Sequence, residues 1–171
     1  METDIKKIEN IAKLKEKENW AFRSFLKGYD LTVEELDSIV NELNTAVSAE
    51  IDCTRCANCC KKVSPVFHEK DIQNLYKHIG ISERDFQKQF LKKDLDGDLV
   101  LKACFCPFLK DNLCTHYAHR PQNCESYPHL HKKDFVFRLI GVLENYEICP
   151  IVFNVYELLK AKFRDHFIYD E

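Results

Sequence analysis

The sequence predicts a mainly α-helical fold, and this prediction rests on apolar periodicity and on helix-capping signals. Ile5, Ile8 and Ile11 recur at the three- to four-residue spacing of one helical face. Apolar side chains between residues 33 and 47 repeat with the same period. Just ahead of them, Thr32 and Glu35 fit a capping box, in which a hydroxyl and a carboxylate satisfy the first amides of a helix. We expect about five helices and one short hairpin in a small, loop-rich fold.

The N-terminal segment is predicted to form a helical hairpin. Its first helix continues through residues that we interpret as core side chains: Trp20, Phe22, Phe25 and Leu26. Gly28 and the Tyr29–Asp30 pair mark the break before the second helix. We assign residues 1–50 to a helical extension packed on the core and residues 51–171 to a cysteine-rich domain. A surface for a protein partner is the alternative role of the hairpin.

The rest of the chain carries shorter signals. Apolar spacing predicts a helix over residues 69–79, and Ser82 starts a cap for the next helix. The Asp-Gly step at Gly97 lies between apolar residues, which indicates a hairpin. Pro150 suits the first position of a last helix. Residues 135–142 fit either a strand or a buried helical turn.

Composition excludes several classes of function. The formal net charge is -3 and no polybasic face is present, so we expect no nucleic-acid partner. No apolar run approaches the roughly 20 residues that span a bilayer, so we expect no membrane insertion. The charged N-terminus has no signal-peptide core, which predicts a soluble, cytoplasmic protein. Reducing cytosol keeps thiols free, so the nine cysteines are better explained by metal binding than by disulfides.

The strongest feature is the run Cys53-x-x-Cys56-x-x-Cys59-Cys60. Core packing does not require four thiols within eight residues of a polar stretch. A two-residue gap between thiols lets one tight turn present successive sulfurs to one centre, as in zinc knuckles and iron–sulfur loops. This run therefore predicts a thiolate metal site.

The adjacent pair in this run leaves two arrangements open. If the segment is helical, Cys53, Cys56 and Cys60 share a face and Cys59 points away. If it is a loop, Cys53, Cys56 and Cys59 are spaced like the first three thiols of a bacterial ferredoxin. Cys59 and Cys60 project in different directions in either case, so we do not expect both on one tetrahedral ion.

These residues and those that follow resemble the YkgJ-like cysteine-cluster family. Its pattern runs Cys-x-x-Cys-Gly-x-Cys-Cys, Cys-Pro-Phe-Leu, Cys, Ile-Tyr, Arg-Pro, Cys-Arg, aromatic-Pro and a late Cys. In this chain the pattern falls on Cys53, Cys56, Cys59, Cys60, Cys106, Pro107, Phe108, Leu109, Cys114, Tyr117, Arg120, Pro121, Cys124, Tyr127, Pro128 and Cys149. Ala57 stands where the family has glycine, and Glu125 stands where it has arginine.

The resemblance implies a zinc- or iron-chelating domain whose eight matched cysteines are the metal ligands, with Cys104 left over. We expect an iron–sulfur cluster of the 4Fe–4S type, because the ferredoxin-like spacing, the Cys-Pro steps and the nearby aromatic residues favour iron. Zinc is the alternative metal, since it also accepts thiolates. We expect Arg120 and Tyr117 to bind the cofactor, Arg120 by offsetting thiolate charge or by holding an anion. A structural ion pair is the alternative role of Arg120.

Four histidines lie near these cysteines in the sequence: His116, His119, His129 and His131. A mixed site would use one of them, but with eight thiols matched, a surface or supporting role is favoured. The expected function is metal binding without catalysis, or electron transfer. A structural zinc protein is one alternative. Another is a cluster-assisted enzyme such as a protein lysine methyltransferase, implied by a more distant similarity to flagellin lysine N-methylases.

Overall fold

A computed structural model describes residues 1–169, and within them the chain is mainly α-helical, with ten α-helices and two short antiparallel strand pairs. The predicted fold class is confirmed. The helices are α1 Ile5–Leu14, α2 Glu16–Gly28, α3 Val33–Glu50, α4 Cys53–Cys56, α5 Asn58–Lys62, α6 Glu69–Ile79, α7 Glu83–Phe90, α8 Gln122–Glu125, α9 Leu139–Tyr146 and α10 Pro150–Lys162. The strands are β1 Leu91–Lys93, β2 Leu99–Leu101, β3 Leu109–Lys110 and β4 Leu113–Cys114.

The chain forms two compact units. The helical unit combines residues 1–52 with the segment from residue 128 onward, and the cysteine-rich unit is the continuous stretch 53–127. The predicted assignment of residues 1–50 and 51–171 to an extension and a domain stays a prediction. None of the helices in residues 1–169 is both long enough and apolar enough to cross a bilayer.

The helical unit is built on α10, which packs against α1, α3 and α9. The capping box at Thr32 is confirmed: its hydroxyl accepts from the Glu35 amide, and the Glu35 carboxylate accepts from the Thr32 amide. The predicted first helix is interrupted at Lys15 and forms two helices. The prediction that Trp20 is a core residue is wrong, because its side chain is 45% exposed. The Arg23 guanidinium lies over its ring. The same helix buries Phe22 instead.

A buried ion-pair network stabilises this unit. The Lys160 ammonium is 93% buried and lies 2.9 Å from a Glu18 carboxylate oxygen and 2.6 Å from one of Glu157. The Tyr146 hydroxyl donates to Glu157 over 2.7 Å, and Lys15 also pairs with Glu157. Because each charge has a partner, the desolvation of the ammonium is offset.

The cysteine-rich unit has its own apolar core, formed by Phe67, Ile72, Leu75, Phe86, Leu91, Leu101 and Phe108. The predicted helix over residues 69–79 is confirmed, and it ends at Gly80 with a φ of 79°. The Ser82 cap is also confirmed, with the hydroxyl accepting from the Asp85 amide. The predicted hairpin is the β1–β2 pair, whose turn places Gly97 at a φ of 89°.

One feature was not expected from the sequence. A second hairpin pairs β3 with β4, and its turn residues Asp111 and Asn112 have φ angles of 50° and 62°. Positive φ at both central residues is the type I′ geometry that suits a two-residue hairpin loop. The open alternative for residues 135–142 is resolved in favour of helix, since a short 3-10 helix at Phe135–Arg138 runs into α9.

Candidate metal centre

The cysteine run folds as two short helices rather than as one helix or an open loop. Helix α4 ends at Cys56, Ala57 adopts the left-handed conformation with φ 50° and ψ 17°, and α5 then begins. The left-handed residue changes the chain direction between the two pairs of cysteines. The helical repeat across Cys53, Cys56 and Cys60 is therefore broken, and neither of the two arrangements left open by the sequence describes the segment fully.

Two further cysteines belong to the β3–β4 region: Cys106 lies three residues before β3, and Cys114 lies in β4. The Cys106 amide donates to the Cys60 carbonyl over 3.0 Å, and the Cys106 carbonyl accepts from the Leu109 amide over 3.1 Å. Cys114 ends β4, and the next residue, Thr115, donates its amide and its hydroxyl to the Phe108 carbonyl. Backbone hydrogen bonds therefore fix both cysteines and leave their side chains available.

Asp71 positions the segment that carries Cys124. Its carboxylate accepts from the Gln122 amide at the start of α8 and from the His68 amide before α6, each over 2.9 Å. The side chain is 92% buried, so these bonds form largely out of water. Sequence reasoning assigned no role to Asp71. Its place three residues after His68, at the start of a helix, was the available signal.

Six thiols line one cavity of about 260 Å³ in the cysteine-rich unit. They belong to Cys53, Cys59, Cys60, Cys106, Cys114 and Cys124. Most of the other lining is apolar or aromatic, including Leu75, Phe108 and Tyr127. The cavity thus brings together cysteines from four separate stretches of the chain.

Three cysteines do not line this cavity in the described part of the chain. Cys56 is half-buried, and Cys104 is exposed on the loop before Cys106. Cys149 belongs to the helical unit, where it is buried at the residue before α10. All nine cysteines are thiols rather than disulfides.

A family model described as "CxxCxxCC: Putative zinc- or iron-chelating domain" matches residues 52–141, more than half of the chain. The chain belongs to this family. The resemblance predicted from the sequence is confirmed, and metal binding through the cysteine-rich domain is supported. No curated protein and no solved structure matches significantly. The similarity to flagellin lysine N-methylases stays a prediction.

Four thiols of this CxxCxxCC domain are close enough to affect one another electrostatically. Burial, together with the charges of Cys106, Cys60 and Cys114, raises the pKa of Cys124 to about 12, and Arg120 opposes this rise. Burial likewise raises the pKa of Cys106, with Cys60 and Cys114 adding to the effect. Thiolates at these positions repel one another in a buried setting, which is the condition that a bound cation relieves.

Cys60 differs from its neighbours. A side-chain hydrogen bond with Cys59, together with the Lys61 charge, lowers the pKa of Cys60 to about 7 against the opposing effect of burial. The two adjacent thiols are thus within reach of each other. The two therefore both reach the cavity, although the sequence suggested that they point apart.

Arg120 and Tyr117, the predicted cofactor-binding residues, both line the cavity. The Arg120 guanidinium carbon lies 3.9 Å from the centre of the Tyr117 ring, and one of its nitrogens donates to the Tyr117 carbonyl over 2.9 Å. Tyr117 is 57% exposed, so its contact with the Arg120 guanidinium places that cation at the edge of the cavity. The arrangement places a fixed positive charge beside Cys124, where negative charge would accumulate.

The cysteine ligands fit both zinc and iron, the two metals that the family description names. Thiolates are the ligands that zinc and iron–sulfur clusters share. As the side chains lie, no group of three or more His, Cys, Asp or Glu residues within 1–169 is placed to hold an ion. Binding would therefore need the thiol side chains to rotate inward, while the backbone bonds around Cys60 and Cys106 fix the frame.

Proposed function

We propose that the protein holds an iron–sulfur cluster on thiolates of this cavity, and that Cys60, Cys106, Cys114 and Cys124 are its principal ligands. The observation that supports the proposal is that Cys60 and Cys114 lie close enough to Cys106 and Cys124 to act on both of them, within a cavity lined by six cysteines. Four thiolates are the complement that binds a cubane cluster. Cys53 and Cys59 line the same cavity and could complete or replace this set.

The volume of the cavity favours a cluster over a single ion. A tetrahedral zinc site is closed by four sulfurs about 2.3 Å from the metal and encloses little space. The cavity measures about 260 Å³, whereas one water takes up about 30 Å³ of liquid. A cluster of several iron and sulfide ions fills such a space better than one ion does. Zinc is the alternative metal, since the same thiolates accept it.

The residues of the cavity suit electron transfer better than catalysis. A centre closed by four thiolates leaves no coordination position for a substrate. Arg120 offsets part of the negative charge, and the apolar lining, including Phe108 and Tyr127, limits the access of water. The reduction potential of a cluster depends on the nearby charge, on solvent access and on hydrogen bonds to its sulfurs. The cluster itself supplies the redox chemistry.

Anaerobic purification with iron, sulfide and zinc analysis tests this proposal. We expect iron and sulfide in near-equal amounts, with a visible absorption band that bleaches on reduction. Cys124→Ala should lower the iron content by more than half, and Cys104→Ala should leave it unchanged. Near-integer zinc without iron or sulfide would overturn the iron–sulfur assignment and favour a structural zinc site.

A further inference from the structure

Three histidines of the cysteine-rich unit come together although they are distant in the sequence. His78 lies in the last turn of α6, His116 follows β4, and His119 ends the short 3-10 helix Tyr117–His119. The His78 ring centre lies 4.0 Å from that of His119 and 5.1 Å from that of His116. The sequence did not predict His78 as a candidate metal ligand.

His116 has a polar atom that the surrounding protein does not satisfy. Its ring lies 5.1 Å from the Phe108 ring, in an edge contact, and its Nδ1 is buried without a hydrogen-bond partner among the described residues. A buried polar atom left unpaired costs about 1–3 kcal/mol. A ligand at this nitrogen would remove that cost.

We propose that His78, His116 and His119 form a second metal site, for a divalent transition ion such as zinc. Neutral imidazole nitrogens bind such ions at about 2.0–2.1 Å, which places two nitrogens on one tetrahedral ion about 3.4 Å apart. Each ring centre lies about 1.2 Å beyond its nitrogen, so two such rings have centres about 5 Å apart. The 5.1 Å separation of His78 and His116 matches this value, and the 4.0 Å separation of His78 and His119 has to widen. Three nitrogens leave the fourth position open to water or to an exogenous ligand.

The rings have to turn before they converge on an ion. His78 and His119 overlap with an interplanar angle of 27°, and no three ligand groups in residues 1–169 point at one position as they lie. Both rings are exposed, so they rotate without disturbing packed neighbours. His116 is more enclosed and supplies the fixed member of the set.

This site differs from the thiolate centre in its donor atoms, although His116 also lines the cavity of the six cysteines. Its donors are imidazoles, and His78 has no counterpart in the cysteine pattern of the family. Failure of the iron–sulfur proposal would therefore leave it standing. The two sites can be told apart by the atom that binds the ion, because thiolate ligands give sulfur-to-cobalt charge-transfer absorption and imidazoles do not.

The test is a Co²⁺ titration of the full chain after its thiolate centre has been loaded with whichever metal it takes. Calorimetry measures the stoichiometry and affinity, and visible absorption identifies the ligands. We expect one further equivalent of cobalt whose spectrum lacks sulfur charge transfer. His78→Ala and His119→Ala should each weaken binding at least tenfold, and both positions are exposed, so both variants should fold.

His131→Ala is the matched control, since it removes an exposed imidazole of the helical unit and should leave the affinity unchanged. His116→Gln adds a third test if its packing against Phe108 survives. Absence of the extra equivalent, sulfur charge-transfer bands, or unchanged affinity in His78→Ala and His119→Ala would each overturn the proposal.

Discussion

The Cys106 amide donates a 3.0 Å hydrogen bond to the Cys60 carbonyl, and this bond joins the cysteine run to the segment that leads into the β3–β4 hairpin. Two cysteines that are distant in the sequence are thus held by backbone atoms. Their thiols take no part in this hydrogen bond, so the bond leaves both side chains available to a metal.

Removing a cysteine that lines the cavity should lower both metal content and stability. Ligand binding contributes to the folding free energy, so Cys106→Ala and Cys124→Ala should each lower the melting temperature by several degrees. Cys104→Ala, at an exposed position outside the cavity, is the control. Metal analysis and thermal unfolding under anaerobic conditions measure both effects. Equal losses for Cys104→Ala and Cys124→Ala would contradict the assignment of Cys104 as the spare thiol.

Asp71 should matter for the metal although it is not a ligand. Asp71→Ala leaves the Gln122 and His68 amides without their acceptor, which we expect to destabilise the fold by about 1–3 kcal/mol. Metal affinity should fall with it, because α8 carries Cys124. Denaturant unfolding and metal competition measure the two effects. Asp85→Ala, which removes an exposed carboxylate at another helix start, should leave metal affinity unaltered.

Ala57 should tolerate glycine better than a branched side chain. Its left-handed backbone costs about 1 kcal/mol or more for a residue with a Cβ, but glycine loses a buried methyl worth about 0.8 kcal/mol. Ala57→Gly should therefore change the free energy of unfolding by less than about 1 kcal/mol.

A β-branched residue strongly disfavours positive φ, so Ala57→Val should be at least about 2 kcal/mol less stable than the glycine variant. Ala103→Val, at an exposed loop position, is the matched control and should stay within about 0.5 kcal/mol of the native protein. Chemical denaturation ranks the variants. A valine variant as stable as the native protein would show that the left-handed turn is not maintained.

The ion-pair network of the helical unit predicts acid sensitivity. Burial raises the pKa of Glu157, but hydrogen bonds from Lys15, Lys160 and Tyr146 lower it by more, so the net shift is below the ordinary value of 4.5. A lowered folded-state pKa gives stability that is complete above pH 4.5 and lost as the pH falls below it. Glu157→Gln should flatten this part of the pH–stability curve. An equally steep curve in the variant would assign the acid sensitivity to other groups.

The Lys160→Met substitution tests the same network by removing its buried cation. The substitution leaves Glu18 and Glu157 without the buried ammonium between them. Breaking a fully buried pair costs about 3–5 kcal/mol, and the two carboxylates are about a quarter exposed, so we expect a loss of about 2–3 kcal/mol. Thermal or urea unfolding at neutral pH measures it. Lys162→Met, at an exposed position of the same helix, should have little effect.

The sequence predicts the elements that carry a strong local signal. The Thr32 cap, the Gly80 stop and the Pro150 start all agree with the structure, because each depends on backbone chemistry within one turn. The four- and five-residue helices α4, α5 and α8 were not predicted, since they are too short to show periodicity. Trp20 was misassigned because an aromatic residue on an amphipathic helix can equally lie at the edge of the buried face.

The site was predictable in composition but not in arrangement. The cysteine pattern identifies the family and its donor atoms, but spacing along the chain cannot show which thiols meet in space. Long-range contacts bring together Cys60, Cys106, Cys114 and Cys124. One such contact is the hydrogen bond that the Gln122 amide, at the start of α8, donates to the Asp71 carboxylate. Likewise, His78 joins His116 and His119 only through the fold. The left-handed turn at Ala57, which separates the two pairs of cysteines, also carries no periodic signal in the sequence.

The discontinuous helical unit has a consequence for synthesis on the ribosome. Helix α10 packs on α1 and α3, so that unit cannot close until the chain has been translated through most of α10. The cysteine-rich unit is a single continuous stretch that leaves the exit tunnel earlier. Its thiols therefore emerge before the helical unit is complete, and a metal or a cluster carrier could reach them on the nascent chain.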